Sequence, residues 1–172
     1  MTASIRECVA GDEAALSVVG QASFLEAFAG VLSGQDILLH CTRQHSPGVY
    51  RAWLDDSRVG VWVAELSGGA PVGYLVVAPD VLPLPDLQAD DLEVKRIYLL
   101  HRVQGTGLGR RLMDVAIAFA RNARSPRLLL GVYGGNDRAI SFYEHLGFRR
   151  VGARRFRVGN SDYDDLIFGM TL

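Results

Sequence analysis

The residues best placed for chemistry in this chain of 172 form one short run, Gln104-Gly105-Thr106-Gly107-Leu108-Gly109. An apolar stretch at residues 97–100 leads into it, and a long helical pattern follows at once. Glycines in that position make a helix N-terminus stripped of side chains. Backbone N–H groups and the helix dipole there can receive a phosphate or pyrophosphate. The spacing narrows the ligand. A P-loop needs G-x-x-x-x-G-K-[ST], but Gly109 is followed by Arg110-Arg111, with no lysine–hydroxyl pair for terminal phosphates and magnesium. A dinucleotide fingerprint needs G-x-G-x-x-G and an acidic residue about 20 positions later. Here the pattern is G-x-G-x-G, and Ser125-Pro126 stands where the acid would be.

A second patterned stretch lies downstream: Asn136-x-x-Ala139-x-x-Phe142-Tyr143-x-x-x-Gly147-Phe148. Together with Gln104-x-x-Gly107-x-Gly109 between a strand and a helix, it strongly resembles the GCN5-related N-acetyltransferase (GNAT) family over essentially the whole chain. The resemblance implies acetyl-CoA as co-substrate, and no cluster of residues in the sequence supports a metal site. It assigns the pyrophosphate to backbone N–H groups of Gln104, Gly105, Thr106, Gly107, Leu108, Gly109 and Arg110, with the Arg110 and Arg111 side chains as optional further contacts. It lays the pantetheine arm along Ile97, Tyr98 and Leu99, where the Leu99 N–H would polarise the thioester carbonyl. Asn136, Ala139, Phe142 and Tyr143 complete the cofactor side, although an asparagine before Asp137 can equally be a helix cap.

Acetylating an amine poses two proton problems. An amine of pKa about 10.4 is roughly a few parts in ten thousand neutral at pH 7, a barrier of about 4–5 kcal/mol if nothing assists. The leaving thiolate also needs a proton, but its pKa is mild, about 8.5 by analogy with cysteine. The resemblance points to Tyr143 as the acid; a tyrosine on an amphipathic helix can also be plain core. Glu93, on the strand before the glycine turn, is the candidate base, with Tyr98 a third possibility. Strict alternation puts Glu93 on one face with Lys95 and Ile97. A covalent route would need an activated thiol, and only Cys41, beside His40 and His45, is conceivable; free cysteines are usually small buried hydrophobes, and Cys8 reads that way.

The acceptor half is less legible. Phe156-x-x-Gly159 and Tyr163-Asp164-Asp165-x-x-x-x-Met170, with Arg96-Ile97-Tyr98, are similar to the PaiA-like branch, which implies a polyamine or other small cationic amine. Acidic residues Asp80, Asp86, Asp90, Asp91, Asp162, Asp164 and Asp165 could draw a cation, or could be solvated surface. A protein N-terminus or lysine, and a catalytically silent CoA-binding regulatory domain, stay open.

These residues need a scaffold, and the periodicities supply one. Strands are expected at residues 4–9, 59–66, 71–77, 92–100, 127–132, 148–157 and 162–170. Asp12 is read as the cap of a first helix, with further helices over 35–43 and 49–55, the latter capped by Ser46 with Pro47 in its first turn. Helices 108–122 and 138–145 follow, the last stopped by Gly147. Residues 78–91, rich in proline and aspartate, read as an exposed loop. The expected fold is a single α/β (α+β) domain over 1–172, with a GNAT-type mixed, mostly antiparallel central sheet and helices on both faces. Composition agrees: 49% hydrophobic with 22% charged residues excludes a disordered chain. A net charge of −1 offers no general attraction to nucleic acid or anionic membrane. Neither a secretion signal nor an apolar run of membrane-spanning length is visible. The expectation is a cytoplasmic enzyme, with a homodimer through the C-terminal strands implied as an option by the resemblance.

Overall fold

The structure is a computed structural model and describes residues 3–79 and 81–172. Seven strands form one sheet in the order β1-β2-β3-β4-β5-β7-β6. They are β1 (Ser4–Glu7), β2 (Gly60–Glu65), β3 (Pro71–Pro79), β4 (Leu92–Leu99), β5 (Arg127–Tyr133), β6 (Arg149–Val158) and β7 (Ser161–Thr171). The helices are α1 (Glu13–Phe28), α2 (Gly34–Gln44), α3 (Pro47–Leu54), α4 (Leu108–Asn122) and α5 (Asp137–His145). Neighbouring strands are antiparallel except β4 and β5, which run parallel because α4 carries the chain back between them. No helix among the described residues is long and apolar enough to cross a membrane.

Each face of the sheet is closed by a different layer. Leu112, Met113 and Ala116 of α4 and Tyr143 of α5 pack on Leu75, Val94, Leu128 and Leu130 on one side. On the other, Leu16 and Val19 of α1 and Tyr50 of α3 cover Val61, Val63, Tyr74 and Val76. Burial of a large apolar side chain contributes about 1.5–3 kcal/mol, so these layers hold the strands that carry the site.

Three local expectations need correction. Asp12 begins α1 but makes no side-chain cap; its carboxylate instead takes the Val9 N–H at 2.8 Å and pairs with Arg6. Ser46 makes no cap bond either, although Pro47 does open α3; the serine that caps is Ser33, on Asp36 N–H. The connection from β3 to β4 is not simply exposed. Leu82 and Leu84 insert against Leu129 and Ile167 and cover the part of the sheet that α1 to α3 leave bare. Asp80 lies outside the described residues.

Candidate active site

Register pairs join β4 to β5 only from Leu92–Val94 to Leu128–Leu130. Past that point β4 stays paired with β3 as far as Leu99 opposite Gly73, while β5 stays paired with β7 as far as Tyr133 opposite Asp165. The sheet therefore splits along its middle. A cleft of about 810 Å³ opens there, lined by Lys95 to Leu99 on one lip and by Gly131, Val132 and Tyr133 on the other. That volume suits a small ligand plus part of a larger one.

The split leaves one edge of β4 available. Leu100 N–H donates to Val72 carbonyl at 2.9 Å, so alternation turns the peptide groups of Leu99 and Ile97 away from β3 and towards the cleft. Gln104 Nε2 donates to the Leu99 carbonyl at 3.1 Å and ties the end of the strand to the glycine turn.

The turn is held by Thr106 Oγ1, which donates to the Val103 carbonyl at 2.7 Å. Gly107 sits at φ +83 as the residue preceding α4, a conformation that strains any side chain, and a Cβ there or at Gly105 would meet nothing within 4 Å. Both positions are open from the ligand side. Gly109 is not: a Cβ there would lie 3.5 Å from Leu99 and 3.6 Å from Phe142, so its missing side chain lets α4 sit close to β4 and α5. Gln104, Gly105, Gly107, Gly109 and Arg110 line the cleft, but Thr106 and Leu108 do not. The Leu108 side chain is core, packed with Val72 and Val103, and only its backbone remains for a ligand. Arg110 pairs with Asp114 at 3.0 Å, whereas Arg111 turns away and donates to the Ala3 carbonyl at 2.9 Å.

Asn136 does cap α5, its Oδ1 accepting the Ala139 N–H at 3.1 Å, and it also lines the cleft with Ala139, Phe142 and Tyr143. The capping and ligand-facing readings are compatible. Tyr143 is buried, its ring centroid 5.4 Å from that of Phe142 and 6.1 Å from that of Phe148. No side-chain hydrogen bond is recorded for its hydroxyl among the described residues, and burial pushes its pKa well above the ordinary tyrosine value.

Glu93 is 3% exposed and ion-paired with Lys95, with Arg154 Nη1 at 3.9 Å. Its predicted alignment with Ile97 fails. Val76 pairs with Arg96 but Val77 with Val94, so Lys95 is the extra residue of a β-bulge that reverses the parity of the strand. Val94 and Ile97 consequently share the α4 face, and Glu93 lies on the opposite face with Arg96 and Tyr98. The bulge is what brings a carboxylate to the same side as the outer part of the cleft. Tyr98 is unsuited to act as a base: it stacks on Tyr74 at 6.0 Å, and burial raises its pKa to about 12.

Arg154, Phe24 and Phe28 line the cleft without standing out in the sequence, whereas Asp165, Phe156, His40 and His45 belong to patterns already described. Arg154 of β6 bonds Asp165 of β7 at 3.3 Å and lies over the Phe156 ring at 4.8 Å. Asp165 is buried, which raises its pKa. His40, His45, Phe24 and Phe28 close the cleft from α1 and α2. Arg154 carries no signal of its own in the sequence, because it is one of five arginines in β6. The acidic residues expected to draw a cation are mostly engaged: Asp86 and Asp91 hold Arg127, Asp162 faces Arg157, and Asp164 faces Arg155. Cys41 is buried with its pKa raised by desolvation and makes no recorded hydrogen bond to either histidine, so it is no activated nucleophile. No group of three or more metal-ligating side chains occurs among the described residues.

Comparison with known proteins meets this geometry from outside. An uncharacterized N-acetyltransferase of Mycobacterium tuberculosis is 29% identical over 154 residues, 88% of this chain and 92% of that protein. The N-alpha-acetyltransferase RimI of the same organism is 36% identical over 103 residues, 59% of this chain and 61% of its own. Among solved structures, the PaiA N-acetyltransferase of Thermoplasma acidophilum in complex with coenzyme A superposes with a TM-score of 0.82 at 19% identity, covering 100% of both chains. YncA of Salmonella typhimurium with its cofactor acetyl-CoA gives 0.74 at 21% identity, over 100% of this chain and 95% of its own. The profile of the acetyltransferase (GNAT) family matches residues 32–148. With the split sheet, the glycine turn and the α5 tyrosine all inside or beside that span, the chain belongs to the GNAT family of N-acetyltransferases.

Proposed function

We propose that the chain is a cytoplasmic enzyme that moves an acetyl group from acetyl-CoA to a small primary amine by direct attack. The observation that carries this reading is the split between β4 and β5, which brings a free strand edge, a bare helix N-terminus and Tyr143 to one cleft. The residues fit the co-substrate: Gly105 and Gly107 leave space for a pyrophosphate, and the outward peptide groups of Ile97 and Leu99 suit an extended amide-bearing arm. Acetyl-CoA supplies the activated acyl group.

The chain's own residues then divide the work. Leu99 N–H donates to the thioester carbonyl oxygen as charge develops on it. Glu93, ion-paired with Lys95 and near Arg154, receives the amine proton through water, and the amine nitrogen bonds to the acyl carbon as the carbon–sulfur bond breaks. Tyr143 gives its proton to the departing sulfur.

A polyamine acceptor is the finer reading that the PaiA-like pattern suggests, and a protein N-terminus is the one that similarity to RimI favours. A thiol-release screen over polyamines, amino acids, aminoglycosides and N-terminal peptides decides among them. Release above the hydrolysis rate with one amine class is the expected result. Tight acetyl-CoA binding with no amine-dependent release would instead identify a silent CoA-binding domain.

A further inference from the structure

The acceptor side of the cleft carries an uneven set of charges. Glu93 and Asp165 face Lys95 and Arg154 in mutual ion pairs. Arg96 lines the same wall, and among the described residues no carboxylate lies within ion-pair distance of it. Its guanidinium is fixed by neutral partners. Nη2 donates to the Gln44 carbonyl at 2.6 Å, Nη1 donates to Tyr50 Oη at 3.0 Å and lies 3.4 Å from His45 Nδ1, and Cζ lies 4.7 Å from the Trp53 ring centroid. A guanidinium has five N–H donors, so these three contacts leave donors over.

A second donor stands beside it. His45 is 1% exposed, its Nδ1 is 2.8 Å from Tyr50 Oη, and its Nε2 has no hydrogen-bond partner among the described residues. Arg96 Nη1, which can only donate, faces both Tyr50 Oη and His45 Nδ1, and the Tyr50 hydroxyl lies 2.8 Å from the same Nδ1, so Nδ1 is the acceptor and the imidazole proton sits on Nε2. A buried, unanswered N–H beside an uncompensated guanidinium is an arrangement for an anion. A buried polar group without a partner is otherwise expensive and rare. The neighbouring wall is apolar and aromatic: Phe24, Phe28, Leu32 and Phe156.

We infer that the acceptor amine also bears a carboxylate, as in an α-amino acid with an aromatic or branched apolar side chain. Arg96 and His45 Nε2–H receive the carboxylate, and the Phe24–Phe28–Phe156 wall receives the side chain. The inference rests on the proposed amine acetylation but concerns what the acceptor must look like. A polyamine, with two or more positive charges, would set one of them against Arg96.

The test compares L-phenylalanine and L-leucine with their decarboxylated amines, with phenylalaninamide, with spermidine and with a short peptide. Turnover is read by thiol release, and binding by calorimetric titration of L-phenylalanine and phenethylamine into protein holding CoA. A charge-assisted contact of this kind predicts a kcat/KM and affinity advantage of about 10–100-fold for the amino acid over its decarboxylated amine. Arg96→Gln should bring that ratio close to one, and Arg96→Lys, which keeps the charge but loses the planar fork, should leave an intermediate ratio. Equal or better use of the decarboxylated amine, spermidine or the peptide overturns the inference, as does a ratio unchanged in both Arg96 variants. Preferential binding of the amino acid without any thiol release would uphold the anion site while refuting the acetylation itself.

Discussion

Tyr143 shows how one residue's surroundings define what it can do. Burial on α5 raises its pKa, so its hydroxyl keeps the proton across the whole range in which an amine is acetylated. Within the proposed reaction Tyr143→Phe should lower kcat by roughly 10–100-fold, at the low end of general-acid effects because a thiolate is a mild leaving group. KM for acetyl-CoA should barely move, since the ring and its contacts with Phe142 and Phe148 persist. Steady-state thiol release at saturating substrates checks this, and full turnover in the variant would remove Tyr143 as the acid. Tyr143 and Asn136 could be singled out in the sequence because they belong to one short stretch that resembles a family motif, seven residues apart. The trio of Glu93, Arg154 and Asp165 could not be, because it is assembled from three strands by register. The bulge at Lys95, which decides the face of Glu93, leaves no mark in an alternating pattern.

At the scale of elements, two junctions set the two halves of the cleft, and each can be tested separately. Gly107 leads into α4 at φ +83 with open space before it. Gly107→Val strains the turn and fills the approach to the N–H groups, so KM for acetyl-CoA should rise about tenfold or more, with the acceptor KM little changed. An unchanged acetyl-CoA KM would take the pyrophosphate away from this turn. The other junction ties the β6–β7 turn to α2. Asp36 accepts Asn160 N–H at 2.7 Å and the Ser161 hydroxyl at 2.6 Å. Gly159, at φ +59, comes so close that a Cβ would lie 2.5 Å from the Asp36 Cα. This contact presses Phe156 and Val158 against Phe24 and Leu32, the apolar end of the cleft. Asp36→Ala should therefore raise the acceptor KM several-fold and leave that for acetyl-CoA alone; the two constants from one rate surface decide it. The seven strands and five helices of the described residues were visible as periodic stretches, with ends displaced by at most two residues wherever bounds were expected and α4 matched at both ends. What periodicity could not convey was docking: Asp36 reads as an ordinary first-turn acid, and the leucines between Pro79 and Pro85 read as loop until the sheet beneath them is seen.

For the molecule as a whole, the layer of α1 to α3 does more than cover apolar strands. It encloses two histidines that must stay neutral. His40 stacks on Phe24 at 4.4 Å and is 6% exposed, and burial with the nearby Arg96 charge lowers its pKa to about 4. His45, deeper and against Tyr50 and Arg96, is lowered to about 2 for the same reasons. In the unfolded chain both titrate near 6.5. Below that value the unfolded state binds protons that the folded state refuses, so stability falls with pH; above it the effect vanishes. Each histidine contributes a slope of about 1.4 kcal/mol per pH unit inside its window. Asp165, whose pKa burial raises, works in the opposite direction, and the carboxylates held low by arginine or hydroxyl partners, such as Asp12 and Asp36, come into play only at still lower pH. The comparison that isolates the histidines is therefore a difference between proteins. Urea unfolding of the native chain and of His40→Phe, followed from pH 8 to pH 4.5, should give parallel curves above about pH 7. Between about pH 5.5 and 4.5 the variant should lose stability less steeply by about 1.4 kcal/mol per pH unit, because one of the two protons is no longer taken up on unfolding. Identical slopes in that interval would mean that His40 accepts its proton in the folded protein, and that the layer over the acceptor side admits more water than its packing implies.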